Sequence, residues 1–266
     1  MARFDGKVAV ITGASQGIGE AAAEMYALEG ASVAILDLKE EEGASVARHI
    51  REKGGKAVFF QCDVSSFEQT GQVVERIVAE LGKIDILFCN AGIQIGFQYD
   101  IAHMPEDIFD ATMRVNVKGV WNMIHHAAKY LIQTKGVIVN TASYAASTGG
   151  FGGSAYGASK GAVKALTYVA ANELGCYGVR ANCVSPYTVL TPRLDGRPEE
   201  WFKITRAGTA LLDMPTVEDV VKTVAFLSSD ESSFINGHDI RVDGGALTKA
   251  QPKDIEQWKR DNPYDL

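Results

Sequence analysis

Apolar residues follow two alternating rhythms along the chain: short runs that are apolar nearly throughout, and longer stretches that carry one apolar stripe. The short runs lie at 8–11, 32–36, 57–60, 84–88, 137–139, 179–184 and 240–242, and they predict seven β-strands. Strands without polar alternation are buried on both faces, as in a parallel sheet covered by helices. Helical patterns fall near 17–30, 40–53, 67–81, 106–133, 157–174 and 216–228. In the stretch at 157–174, Val163, Leu166, Ala170 and Leu174 share one stripe, and Gly175 follows as a stop. Strand and helix in alternation predict right-handed crossovers and one α/β domain. Its expected form is a Rossmann-type, doubly wound parallel sheet of about seven strands with helices on both faces. The domain is expected over residues 1–248, and 249–266 read as a polar tail in which Ile255 and Trp258 are the apolar exceptions.

Composition narrows the function classes. A chain of 266 residues with 46% hydrophobic content can bury a sizeable core. A net charge of −7 and a pI near 5.3 argue against a nucleic-acid binder, which would carry a basic stripe. No apolar run reaches the roughly 18 residues of a membrane span, and the first residues lack the apolar core of a signal peptide. The expectation is a cytoplasmic protein with no membrane or nucleic-acid partner. Cys62, Cys89, Cys176 and Cys183 show no C-x-x-C spacing and read as reduced thiols. The five histidines show no metal-ligand spacing, so no metal is expected.

Two motifs carry chemistry. The first strand runs into Thr12-Gly13-Ala14-Ser15-Gln16-Gly17-Ile18-Gly19, and an Ala-rich helix follows. Glycines there let the backbone approach a pyrophosphate, and the helix N-terminus supplies N–H donors and positive potential. Asp37 stands eighteen residues beyond Gly19 at the end of the second strand, where a carboxylate binds both ribose hydroxyls of NAD and repels a 2′-phosphate. With Gln16 and Leu38 rather than arginine or lysine at the flanking positions, NAD is expected over NADP. The second motif is Ser143 followed thirteen residues later by Tyr156-x-x-x-Lys160. Residues four apart on a helix share a face, so the Lys160 ammonium is expected beside the Tyr156 phenol. A free tyrosine titrates near ~10, and using it as a base near pH 7 means stabilising phenolate by about 4 kcal/mol.

In this order, the markers resemble those of the classical short-chain dehydrogenases/reductases, from Lys7 to about Thr248. The resemblance implies that Gly13, Ser15, Gln16, Gly17, Ile18 and Gly19 form the cofactor loop and that Asp37 and Leu38 meet the ribose. Asp63 and Val64 match the adenine-ring pair. Asn90, Ala91 and Gly92 match the segment after the fourth strand that supports the sheet. Asn116 matches the asparagine that holds a water behind the lysine; the lesser alternative is a polar residue that only satisfies backbone groups where a helix meets the sheet. Ser143, Tyr156 and Lys160 match the catalytic positions: Tyr156 as general acid or base, Ser143 orienting the reacting oxygen, and Lys160 stabilising the phenolate and holding the nicotinamide ribose. Pro186, Val189 and Thr191 match the segment that touches the nicotinamide carboxamide.

The implied activity is hydride transfer between NAD and a secondary alcohol or ketone. An NADPH-linked reductase of acyl-carrier-bound ketones and a dinucleotide sensor without turnover are the alternatives. One departure concerns the pocket: where the family commonly has glycine after the proline, this chain has Tyr187, a version that plant secondary-metabolite dehydrogenases of the family resemble. Tyr187, Gln94 and Phe151 are the substrate-wall candidates, with Ile95 and Tyr144 beside them. Residues 192–214 have the mixed polarity of a lid, and its Arg193, Arg197 and Arg206 can either pair with an acidic substrate or face solvent. A polyol, sugar, cyclic alcohol or hydroxy acid fits this set. By the same resemblance the helices at 106–133 and 157–174 pair copies of the chain, and the last strand makes a second contact, giving a homotetramer.

Overall fold

The computed structural model describes residues 2–149 and 153–249. Its strands are β1 (Val8–Thr12), β2 (Ser32–Asp37), β3 (Lys56–Gln61), β4 (Ile86–Cys89), β5 (Val137–Thr141), β6 (Arg180–Pro186) and β7 (Asp239–Val242). They form one sheet in the order β3-β2-β1-β4-β5-β6-β7, every neighbouring pair parallel. The helices are α1 (Gly17–Leu28), α2 (Glu40–Glu52), α3 (Phe67–Leu81), α4 (Glu106–Met113), α5 (Gly119–Thr134), α6 (Gly153–Gly175), α7 (Glu199–Ala207) and α8 (Val217–Ser228).

Successive strand side chains leave on opposite faces, and here both sets are apolar. Ala9, Ile11, Val33, Ile35 and Phe88 enter one core, which α1, α2 and α8 close through residues such as Tyr26, Ile50 and Val224. Val10, Ala34, Leu36 and Leu87 enter the other, closed by Ile77 of α3, Met123 of α5 and Val163 of α6. This double burial is why the strands read as unbroken apolar runs. Cys62, Cys89 and Cys183 are buried and Cys176 is exposed, all four as free thiols. No helix among the described residues is long and apolar enough to cross a membrane.

The elements depart from the sequence expectation in three places. The single helix expected over 106–133 is two helices joined by a π-helical turn, Arg114–Lys118. An extra residue in that turn leaves Asn116 fully buried and bonded to Ile93, a contact that a continuous α-helix would rotate away. Helix α6 begins at Gly153, so Tyr156 lies within its first turn rather than before it. The 192–214 segment contains α7, entered from Pro198 with Glu199 and Glu200 in its first turn and Arg206 in its last. Phe151 and the tail residues Ile255 and Trp258 lie outside the described residues.

Candidate active site

The strand order reverses between β1 and β4, and the crevice at their C-terminal ends opens into a cavity of about 740 Å³. Asn90 fixes the reversal point. Its Nδ2 donates to the carbonyls of Thr12 at 3.3 Å and Gly13 at 3.2 Å, and its Oδ1 accepts from Thr141 Oγ1 at 3.3 Å. Thr12 Oγ1 in turn accepts from the amides of Asn90 and Ala91, each at 3.0 Å. The ends of β1, β4 and β5 are thereby tied together.

Glycine is required where these segments meet. Gly13 has φ +64°, and a Cβ there would stand 2.8 Å from the Ala91 Cα. A Cβ on Gly19 would collide with the Gly13 carbonyl, so the third glycine allows α1 to pack on the turn. At the start of α1, Gln16 makes no side-chain cap, the Glu20 carboxylate takes a hydrogen bond from the Gly17 backbone, and Gly17 and Ile18 line the cavity. Ser15 Oγ is buried without a hydrogen-bond partner among the described residues, and so is Thr188 Oγ1 on the opposite wall. Bare glycines at a helix start and two orphaned hydroxyls fit a dinucleotide with a pyrophosphate at its middle.

At the far end of this groove, Asp37 accepts from Ser15 N and Lys39 N, each at 3.1 Å. Both bonds fix the carboxylate at the rim. Asp63 accepts from Ser65 N at 2.9 Å, and Val64 is held by Asn122 Nδ2 on its carbonyl at 2.8 Å. Lys39 also lines the cavity, a basic residue two positions beyond Asp37 that the sequence comparison of Gln16 and Leu38 passed over. Its ammonium donates to Gln16 Oε1 at 3.2 Å and lies 3.8 Å from Glu42.

Ser143 and Tyr156 line the other end. Tyr156 hydrogen-bonds the Ser143 side chain, whose Oγ also accepts from Ala145 N at 3.1 Å. Lys160 is buried behind Tyr156, with Nζ 5.7 Å from the ring centre and donating to the Thr141 carbonyl at 2.6 Å. The sequence leads one to expect a tyrosine pulled down by its lysine. In the structure burial dominates both groups. The Tyr156 phenol is pushed up, against opposing contributions from the Ser143 hydrogen bond and the Arg193 charge, and the Lys160 ammonium is pushed down to about 8. Asn116 lies behind them. Its Oδ1 accepts from Ile93 N at 2.8 Å, and its Nδ2 donates to Ile93 O at 2.9 Å and Ser159 Oγ at 3.0 Å. Both ends of the side chain are thus engaged in holding the loop after β4.

Every cofactor residue expected from the sequence lines the cavity except Gly19 and Lys160, which stand behind its wall. Of the substrate-wall candidates, Gln94, Tyr144 and Tyr187 line it and Ile95 does not. The Tyr144 and Tyr187 rings meet edge to face at 5.0 Å. Tyr187 Oη donates to the Thr205 carbonyl of α7 at 3.3 Å, and a Cβ on Gly208 would strike that hydroxyl. Thr188 and Lys39 were missed; adjacency to Pro186 and Asp37 was the only sequence signal for either.

A family model described as Enoyl-(Acyl carrier protein) reductase matches residues 13–247. Short-chain dehydrogenase reductase 3a of Arabidopsis thaliana is 39% identical over 252 residues, covering 91% of this chain and 96% of that protein. Secoisolariciresinol dehydrogenase of Forsythia intermedia is 38% identical over 250 residues, 91% of this chain and 90% of that one. Among solved structures, NAD+-bound xylitol dehydrogenase superposes with a TM-score of 0.85 at 33% identity, covering 91% of this chain and all of that one. With its cavity at the strand reversal, its glycine turn and these relatives along nearly its whole length, the chain belongs to the short-chain dehydrogenase/reductase family of oxidoreductases.

Proposed function

We propose that the protein is an NAD-dependent dehydrogenase or reductase that moves a hydride between the nicotinamide and the carbon of a secondary alcohol or ketone. The observation that carries this reading is one continuous cavity with the glycine turn and Asp37 at one end and Ser143 and Tyr156 at the other. A bound nicotinamide dinucleotide supplies the hydride acceptor for oxidation, or the donor for reduction. Tyr156 Oη takes the proton of the alcohol or returns it to the ketone oxygen, and Ser143 Oγ holds that oxygen in place. Lys160 adds positive potential behind the phenolate, and with one of its three N–H donors on the Thr141 carbonyl it would have two left to hold the nicotinamide ribose. Asn116 keeps the neighbouring loop in register, its amide oxygen and nitrogen both taken up by Ile93 and Ser159. Relatives named as xylitol and secoisolariciresinol dehydrogenases support alcohol chemistry.

The cofactor preference rests on Asp37, whose carboxylate suits two ribose hydroxyls and opposes a 2′-phosphate. Lys39 is occupied by Gln16 and Glu42, which lessens its pull on such a phosphate. Fluorescence titration with NADH and NADPH tests this; tighter NADPH binding would overturn it. For the reaction, NADH production is measured across polyols, sugars, cyclic alcohols and hydroxy acids, with Tyr156→Phe as control. A control retaining full activity sinks the acid/base role, and NADH binding with no turnover of any class favours a sensor.

Assembly as a homotetramer is part of this proposal, supported by large exposed side chains on the paired helices, Trp121 of α5 and Tyr168 and Val169 of α6. Light scattering that returns the single-chain mass of 28.6 kDa would refute it. Four free thiols, three of them buried, suit a reducing compartment such as the cytoplasm.

A further inference from the structure

We infer that Arg193 receives an anionic oxygen group of the substrate, a carboxylate near the reacting carbon, so that the preferred substrates are compact hydroxy acids and their oxo acids. The inference rests on the alcohol/ketone reading above and names its substrate class.

Sequence alone treats the three arginines of the 192–214 segment alike, and the structure separates them. The Arg197 guanidinium lies over the Trp201 ring, 5.4 Å from its centre. Arg206 pairs with Glu199 at 2.9 Å and lies over Phe202 at 5.7 Å. Neither lines the cavity. Arg193, on the 3-10 turn Pro192–Leu194, lines it at the mouth together with Ser143 and Tyr156. Among the described residues it has no carboxylate partner; its Nη2 donates at 2.6 Å to the neutral Gln94 Oε1. A guanidinium has five N–H donors in a planar fork, so one bond to Gln94 leaves donors free for a second, bidentate acceptor.

The setting is preorganised and otherwise uncharged. Gln94 follows Ile93, whose amide and carbonyl are both bonded by Asn116, so the residue that steadies Arg193 sits on an anchored loop. The charged lining residues Asp37, Lys39 and Asp63 belong to the opposite end, and the wall around Ser143 is formed by neutral groups such as Ile93, Ala142, Tyr144 and Tyr187. The positive charge of Arg193 is felt at the Tyr156 phenol, in keeping with an anion bound close to the reacting oxygen. The edge-to-face Tyr144 and Tyr187 rings, with Tyr187 fixed on Thr205, bound the pocket on one side and favour a small carbon skeleton.

The same guanidinium chemistry would also take a phosphate oxygen of the cofactor, and the experiment separates the two sources. kcat/KM with NAD+ is measured on the full chain for 2- and 3-hydroxybutyrate and for their neutral amides. Wild type is expected to prefer an acid over its amide by about tenfold, Arg193→Gln to remove that preference, and Arg193→Lys to restore part of it. Equal or better use of the amides by wild type, or an unchanged ratio in Arg193→Gln, overturns the inference. Calorimetry gives a readout independent of turnover: 2- and 3-oxobutyrate are titrated into protein saturated with NADH, and Arg193→Gln is expected to lose about tenfold in affinity. No binding of either oxo acid overturns the inference, whereas Arg193-dependent binding without turnover upholds it and overturns the catalytic reading instead. A fall in NADH affinity matching the lost acid preference would assign Arg193 to the cofactor phosphates and overturn it as well.

Discussion

Lys160 and Tyr156, four residues apart on α6, stand with the ammonium 5.7 Å from the ring centre, yet the lysine gives its hydrogen bond to the Thr141 carbonyl. Lys160 is buried and Tyr156 half-buried, and desolvation opposes the charge on each. Phenolate is therefore scarce at neutral pH and grows with pH, while the phenol needed for reduction is plentiful. kcat/KM for alcohol oxidation is expected to rise from pH 7 to pH 9, roughly in step with phenolate, while that for ketone reduction stays nearly level because the phenol remains protonated across that range. An oxidation rate flat or falling over that range in a pH-rate profile would contradict the assignment of Tyr156 as base.

The same burial makes Lys160 a liability to the fold. Its pKa of about 8 lies below the ordinary 10.5, so between those values the unfolded chain binds more protons and stability rises with pH. Below pH 8 the cost is fully present. Lys160→Met is expected to abolish activity while raising Tm at pH 7, and the gain should shrink between pH 8 and pH 10.5. A variant with unchanged or lower Tm at pH 7 would show that the Thr141 hydrogen bond outweighs the desolvation of the charge.

Gly19 has no room for a methyl group, since its Cβ would meet the backbone carbonyl of Gly13 rather than a side chain able to turn aside. Gly19→Ala is expected to cost about 3 kcal/mol, seen as a Tm lower by roughly 6–12 °C, together with weaker NADH binding because the turn itself must shift. Calorimetric unfolding with Tm within about 1 °C of wild type would show that the turn yields more easily than its geometry implies.

Asn116 bonds both backbone groups of Ile93 from a fully buried position, so Asn116→Ala leaves a donor and an acceptor without partners. The expected loss is about 2–4 kcal/mol in denaturant unfolding, with a raised KM because Gln94 is released next door. Asn116→Asp keeps the acceptor for Ile93 N and should recover part of both effects. No recovery in either measurement would mean that the acceptor half of this clamp contributes little.

The sheet was legible because its strands are covered on both faces and read as apolar runs. The break between α4 and α5 was not, since Val115-Asn116-Val117 keeps helical periodicity and the π turn depends on Ile93, distant in sequence. Helix α7 was hidden in a mixed-polarity segment; Glu199–Ala207 is short, and Trp201 and Phe202 cover only part of it. In the site, Gly13, Asp37, Ser143 and Tyr156 stand at spacings dictated by strand and helix ends, so order alone reveals them. Lys39, Thr188 and the difference between Arg193 and its fellow arginines depend on which way a loop turns, and no local pattern encodes that.

The reversal of strand order between β1 and β4 has a consequence for the protein's abundance. Asp37 ends β2 on one wing of the sheet and Thr191 follows β6 on the other, so a ligand spanning the cavity cross-links two wings built from distant parts of the chain. Such a ligand binds only the folded form and adds about 2.7 kcal/mol at a hundred times its Kd. The fraction of chains open to proteolysis would then follow the size of the dinucleotide pool, and depletion of that pool would shorten the protein's lifetime before any substrate is involved.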